Sequence, residues 1–139
     1  MKNARRKFLT AGIATAAAAA PAAAAPAATM GKAKVQGGVR MGNLFYSSGL
    51  TGTKAGRDIK AQTREILKQQ KANLEALGSS LDNVIKVTAF LADVKGEKPA
   101  FNEAYAEYFK QNAPARTALG AIFPDEETRV EIELVAYIP

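Results

Sequence analysis

Near the end of the chain Val130, Ile132, Leu134, Ala136 and Ile138 occupy alternate positions, with Arg129, Glu131, Glu133, Val135 and Tyr137 between them. A period of two is the repeat of a β-strand, so 128–138 is predicted to be a strand with one apolar face for helices to cover. Its other face mixes carboxylates with Val135 and Tyr137. The segment 83–92 is rich in Val, Ile, Thr and Phe and apolar on both sides, which predicts another strand beside it. From 59 to 77 the period changes: Ile59, Ile66, Leu67, Leu74 and Leu77 recur at helical spacing among charged residues, and Gly78 stands where a helix is capped. Pro99 is expected in the first turn of a second helix over 99–111, with Phe101, Tyr105, Tyr108 and Phe109 on one broad side and Asn112-Ala113-Pro114 to stop it. Runs at 35–41 and 44–48 flank Gly42-Asn43 and read as a hairpin. A strand at 116–122 precedes the turn residues Pro124-Asp125-Glu126-Glu127. The order is ββαβαββ, an α+β domain with two helices on one side of a mixed sheet. The other side of that sheet is left partly apolar, and large exposed apolar patches mark interfaces, so a closed homo-oligomer is expected.

The chain of 139 residues has room for one core. Residues 1–28 stand apart from the domain at 29–139. Arg5-Arg6 precedes Phe8-Leu9, and an alanine tract with Pro21 and Pro26 follows. This start resembles a twin-arginine export signal, removed after delivery of a folded domain to the periplasm. Its apolar stretch is short of the roughly 20 residues of a spanning helix, so no membrane anchor is expected after cleavage. Four of the 19 basic residues lie in this segment, at Lys2, Arg5, Arg6 and Lys7, and the remainder nearly balances the 13 acidic side chains. The sequence pI of 9.7 is therefore no argument for a nucleic-acid partner. Nor is there a stripe of basic and aromatic residues of the kind that binds single strands.

Cysteine and histidine are both absent. Thiol nucleophiles, disulfides, Ser-His-Asp triads and Cys/His zinc sites go with them. Any chemistry falls to Arg, Lys, Tyr, hydroxyls, backbone groups and carboxylates, the last being the plausible proton carriers near neutral pH.

Four segments occur in an order and spacing that resembles the RidA (YjgF) family of reactive-intermediate deaminases. They are Gly42-Asn43-Leu44-Phe45-Tyr46-Ser47-Ser48-Gly49, Gln62-Thr63-Arg64, Leu81-Asp82-Asn83-Val84-Ile85-Lys86-Val87-Thr88-Ala89-Phe90-Leu91, and Pro114-Ala115-Arg116 with Val130-Glu131-Ile132-Glu133. The run from Phe101-Asn102 to Tyr108-Phe109 adds to it. The resemblance implies a chorismate-mutase-like α+β fold in homotrimers with ligand sites between subunits. It also implies hydrolysis of enamine and imine acids to 2-keto acids and ammonia. Carried over by position, Arg116 binds the substrate carboxylate, Glu131 holds the attacking water, Ser48 and Gly49 contact the ligand, and Asn102 lies near the pocket. A guanidinium suits a planar carboxylate because it offers two parallel N–H donors. No metal or cofactor is implied, since a protonated imine is already electrophilic and has mainly to be positioned.

The same residues have plainer readings. Arg116 has Glu131 or Glu133 as candidate partners for an interface ion pair, Tyr105, Tyr108 and Phe109 suit a core, and Gln62 and Arg64 suit packing. The whole domain suits a non-catalytic periplasmic module that binds a small carboxylate or acts as a chaperone. The chain also departs from the family pattern. Ala33-Lys34-Val35 stands where Gly-Pro-Tyr is common, Leu50 follows Ser-Gly in place of Gln, and Ala118 and Gly120 replace a Cys or small polar residue and a Glu. The pocket is expected to differ in shape and polarity.

Replacing Arg5 and Arg6 together by lysine is expected to leave the precursor in the cytoplasm. Cell fractionation and immunoblotting read this directly, and unchanged export removes the twin-arginine assignment.

Overall fold

The computed structural model describes residues 31–139, so the segment expected to direct export, 1–28, lies outside the described residues. Four short strands come first: β1 (Lys32–Val35), β2 (Gly38–Met41), β3 (Leu44–Ser47) and β4 (Leu50–Thr51). Helix α1 (Ile59–Ala76), β5 (Val84–Leu91), α2 (Val94–Ala106), β6 (Ala115–Gly120) and β7 (Val130–Tyr137) follow. The sheet runs β1-β2-β3-β7-β5-β6, with β4 also paired to β7. Among the described residues only β5 and β6 pair in parallel, and α2 is the crossover that a parallel pair needs. The α+β class and the mixed sheet agree with the sequence pattern, and β1 and β4 are additions to the expected order.

The alternation along β7 divides the molecule. Val130, Ile132, Leu134 and Ala136 are buried under the helices with Phe45, Ile66, Leu67, Leu74, Val87, Leu91 and Phe101. Full burial of each of the larger of these side chains contributes about 1.5–3 kcal/mol. Among the described residues no element covers the opposite side, where Tyr46 and Tyr137 are 46% and 44% exposed.

Local chemistry explains where the elements begin and end. Asp58 caps α1 by accepting from the Ala61 N–H at 2.7 Å. Its other end is a Schellman motif: Gly78 takes φ +75°, the Ser79 N–H donates to Leu74 O, and the Gly78 N–H donates to Glu75 O. The β2–β3 hairpin turns at Gly42-Asn43, with φ +58° at Gly42, the first of the two turn residues.

Three expectations need correction. The strand expected over 35–41 is broken at Gln36-Gly37, where the chain reverses to pair β1 with β2. A Cβ on Gly37 would meet the Asn73 amide, so this turn is fitted to α1. The second helix does not begin at Pro99; Asp93 caps it by accepting from the Gly96 N–H at 2.9 Å, and Pro99 lies inside. It ends at Ala106 rather than near Gln111, yet Phe109 remains buried beyond its end. Finally, β6 stops at Gly120, and Ile122 projects fully into solvent.

Buried amides tie the layers together. Gln62, completely buried, donates to the carbonyls of Gly56 and Glu127 and accepts from the Arg129 N–H, with distances of 2.6, 2.7 and 2.9 Å. It thereby fixes the loop before β7 to α1. On the outside, Arg64 grips Glu107 with two hydrogen bonds and joins α1 to the end of α2. That contact holds the Glu107 carboxyl below the usual range and raises the Arg64 guanidinium. Arg129 makes a similar fork on Glu97.

Phe101, Tyr105 and Phe109 form a row, with centroids 5.6 and 4.6 Å apart along it. The Tyr105 hydroxyl is buried without a hydrogen-bond partner. Burial pushes its pKa up to about 12, against a smaller downward pull from Arg116.

Gln62→Leu leaves two carbonyls and one N–H unpaired, so it is expected to cost about 2–4 kcal/mol in denaturant unfolding. Tyr105→Phe removes only the orphaned hydroxyl and is expected to leave stability equal or higher at pH 7. Tyrosine ionises near pH 10 in the unfolded chain but near 12 here, so unfolding is favoured as pH rises through that window, by on the order of 2 kcal/mol. Thermal melts from pH 9 to 12 are expected to fall more steeply for the wild type than for Tyr105→Phe.

Candidate functional site

Arg116 is the second residue of β6, the edge strand, and pairs with Val87 of β5. Val87 is fully buried on the helix side, so Arg116 leaves the sheet toward α2. Its guanidinium carbon lies over two rings of that helix, 4.6 Å from the Tyr105 centroid and 5.4 Å from that of Phe101. Among the described residues no ion pair or hydrogen bond engages its side chain, and the residue is exposed. Within the chain, then, neither Glu131 nor Glu133 neutralises it. The result is a cation with an aromatic backing and free N–H edges, suited to an anion arriving from solvent.

Glu131 lies two strands away on β7, between the buried Val130 and Ile132, and so on the opposite side of the sheet. It is half-buried, and its carboxylate forms no ion pair with a described residue. Oε1 packs directly against Gly49: a Cβ there would lie only 1.9 Å from that oxygen. This closeness follows from pairing, since Thr51 of β4 stands opposite Glu131.

The Ser47-Ser48-Gly49 step between β3 and β4 is shaped by a side chain that sequence reasoning did not single out. The Ser47 hydroxyl accepts from the Leu134 N–H at 2.8 Å and from Gln70 Nε2 at 3.0 Å, bridging the gap where β3 leaves β7 and β4 joins it. Ser48 donates its backbone N–H to the Gly37 carbonyl at 2.8 Å, and the residue is exposed. A neighbouring hollow of about 280 Å³ runs from Gly49 past Thr51 and Lys54 to Glu65 on α1.

Asn102 sits on α2 between Phe101 and the turn that carries Tyr105. Its Oδ1 is buried and has no hydrogen-bond partner. Glu133 lines a small cleft on the open side with Tyr46, Lys86 and Thr88. Lys86 in turn donates to the Thr117 hydroxyl at 2.6 Å.

The residues singled out from the sequence therefore form two groups. Glu131, Gly49 and Ser48 gather at the β4–β7 junction. Arg116 stands over α2, the helix that also carries Asn102. The sheet separates the groups, and a single chain does not bring Arg116 and Glu131 to one small molecule.

Comparison with known proteins is consistent over the whole described fold. The family described as Endoribonuclease L-PSP matches residues 18–138. A RutC family protein of Pyrococcus horikoshii is 41% identical over 105 residues, covering 71% of this chain and 82% of its own. The human 2-iminobutanoate/2-iminopropanoate deaminase is 37% identical over 78 residues, 56% of each chain. The chloroplastic Reactive Intermediate Deaminase A of Arabidopsis thaliana is 32% identical over 104 residues, 70% of this chain and 55% of that one. Among solved structures, a YjgF/YER057c/UK114 family member from Mycobacterium tuberculosis superposes with a TM-score of 0.68 at 29% identity, covering 73% of this chain and 85% of that one. A putative endoribonuclease L-PSP from Entamoeba histolytica gives 0.67 at 32% identity, over 79% and 92%. The chain belongs to the RidA/YjgF (endoribonuclease L-PSP) family, some of whose members are named imine deaminases.

Proposed function

We propose that this protein hydrolyses 2-imino acids, the substrates named for its human relative, to 2-keto acids and ammonia. The observation that carries the reading is Arg116: an exposed guanidinium, unpaired by any described acid and backed by two rings, is a receptor for a small carboxylate. Two charge-assisted hydrogen bonds of about 1.5–3 kcal/mol each would hold that group.

The reaction adds water to the imine carbon. Glu131 takes a proton from the water as its oxygen bonds to the carbon of the protonated imine, forming a neutral carbinolamine. Glu131 returns that proton to the nitrogen; as the C–N bond breaks and ammonia leaves, the hydroxyl gives its proton back to Glu131 and the carbonyl forms, and the proton is finally lost to solvent or to the ammonia. A half-buried carboxylate without an ion-pair partner is free to accept and return that proton.

Because the sheet separates Arg116 from Glu131, the complete site is assembled between two copies of the chain, with Arg116 from one and Glu131, Gly49 and Ser48 from the next. Tyr46, Tyr137, Met41 and Leu119, each at least 40% exposed, give the assembly apolar surface to bury. A homotrimer is the arrangement we favour, operating outside the cytoplasm on the strength of Arg5-Arg6 and the alanine tract.

In an assay that follows ammonia release from an imine generated by an amino-acid oxidase, the wild type is expected to accelerate release. Arg116→Ala should lose at least about 100-fold in kcat/KM, the equivalent of its two hydrogen bonds. Glu131→Gln should lose mainly kcat, by about 10²–10⁴. Mixed and reassembled, the two variants are expected to recover part of the activity, since some interfaces then unite an intact Arg116 with an intact Glu131. Saturable binding of 2-oxobutanoate without any effect on imine lifetime would instead favour a non-catalytic carboxylate-binding module.

A further inference from the structure

Arg116 faces a physical difficulty as a receptor. It stands on an edge strand with no acid among the described residues to orient it, and a free arginine side chain samples many rotamers. A planar, two-point grip on a carboxylate works well only when the guanidinium plane is held beforehand. Something other than a salt bridge must do this.

The contacts that can are the two rings of α2. Phe101 is fully buried and Tyr105 is 6% exposed, so both are fixed by the core while part of each ring remains in contact with Arg116. The two rings are tilted 43° to one another, and the guanidinium carbon lies within about 6 Å of both centroids, the range in which ring quadrupoles attract a cation. A guanidinium is weakly hydrated on its faces and donates from its edge. Aromatic contact therefore holds the cation without consuming the N–H groups that a carboxylate needs. An acid in the same place would hold it equally well and occupy the donors.

We propose that Tyr105, together with Phe101, is a positioning residue that holds the Arg116 guanidinium as a preformed carboxylate receptor, and so sets the preference of the site for an acid over its neutral counterpart. This inference rests on the reading of Arg116 as the carboxylate receptor. It assigns a function to two residues whose helical spacing otherwise marks them only as core. Phe109, third in the row and also buried, makes no contact with Arg116 of this kind and supplies an internal control.

The test is calorimetric titration of the assembled protein with 2-oxobutanoate and with 2-oxobutanamide. The wild type is expected to bind the acid more tightly than the amide. Tyr105→Leu should weaken the acid about 5- to 10-fold and leave the amide unchanged, whereas Tyr105→Phe should retain the preference within about twofold. Phe109→Leu, an equal insult to the core, should leave the ratio of the two affinities unchanged. Should Tyr105→Leu fail to fold, phenylalanines carrying successive ring fluorines are incorporated at position 105; they keep the ring's shape while draining its negative face, and acid affinity is expected to fall stepwise. A wild type with no preference for the acid defeats the carboxylate reading of Arg116 itself. A wild-type preference that persists through Tyr105→Leu or the fluorinated series overturns the positioning role alone.

Discussion

The two-residue period of β7 is the constraint on which the molecule depends. This strand pairs with β3 and β4 on one edge and β5 on the other, so one choice of side decides the facing of most of the sheet. Val130, Ile132, Leu134 and Ala136 take the helix side because only there does burial remove them from water. Glu131 and Glu133 are then delivered to the uncovered side with no further device. A register slip of one residue would bury two carboxylates and expose four core side chains, and nothing in the composition would offset that.

From the same choice follows the division of the candidate chemistry. The pairing of β6 with β5 puts Arg116 in register with Val87 and hence on the helix side, while β7 puts Glu131 on the other. Each group is individually well supported: the cation by rings, the carboxylate by the close approach of the β3–β4 connection. What one chain lacks is the proximity of the two. An apolar sheet surface and a divided set of polar groups are thus two expressions of one arrangement, both of which the proposed assembly of copies would complete.

Much of this was legible in the sequence where the determining interactions are local. Gly78 ends α1, Gly42 turns the β2–β3 hairpin, and the spacing of apolar residues located both faces of β7. The failures have a common cause. Gly37 turns the chain beside Asn73 of α1, a partner remote in sequence, so an apparently continuous strand over 35–41 conceals two. Pro99 looked like a helix start, but the Asp93 cap recruits the Gly96 N–H and starts the helix earlier. Gln62 suits packing on the sequence alone, whereas its partners include main-chain groups of Glu127 and Arg129, remote along the chain, and Gln70 of the same helix donates to the Ser47 hydroxyl. Family resemblance pointed to Arg116 and Glu131 but not to their opposite facings, which depend on how β6 and β7 register against β5.

Gly49 gives the carboxylate beside it an unusual kind of support. The position of Glu131 is bounded by bare main chain, so the depth of the acid is metered by an absent side chain and not by a contacting one. Any residue with a Cβ would act as a shim, moving the oxygen outward by a bond length or more while leaving β7 untouched. The placement of this acid can therefore be shifted from the connection, at a position outside the strand that bears the charged group.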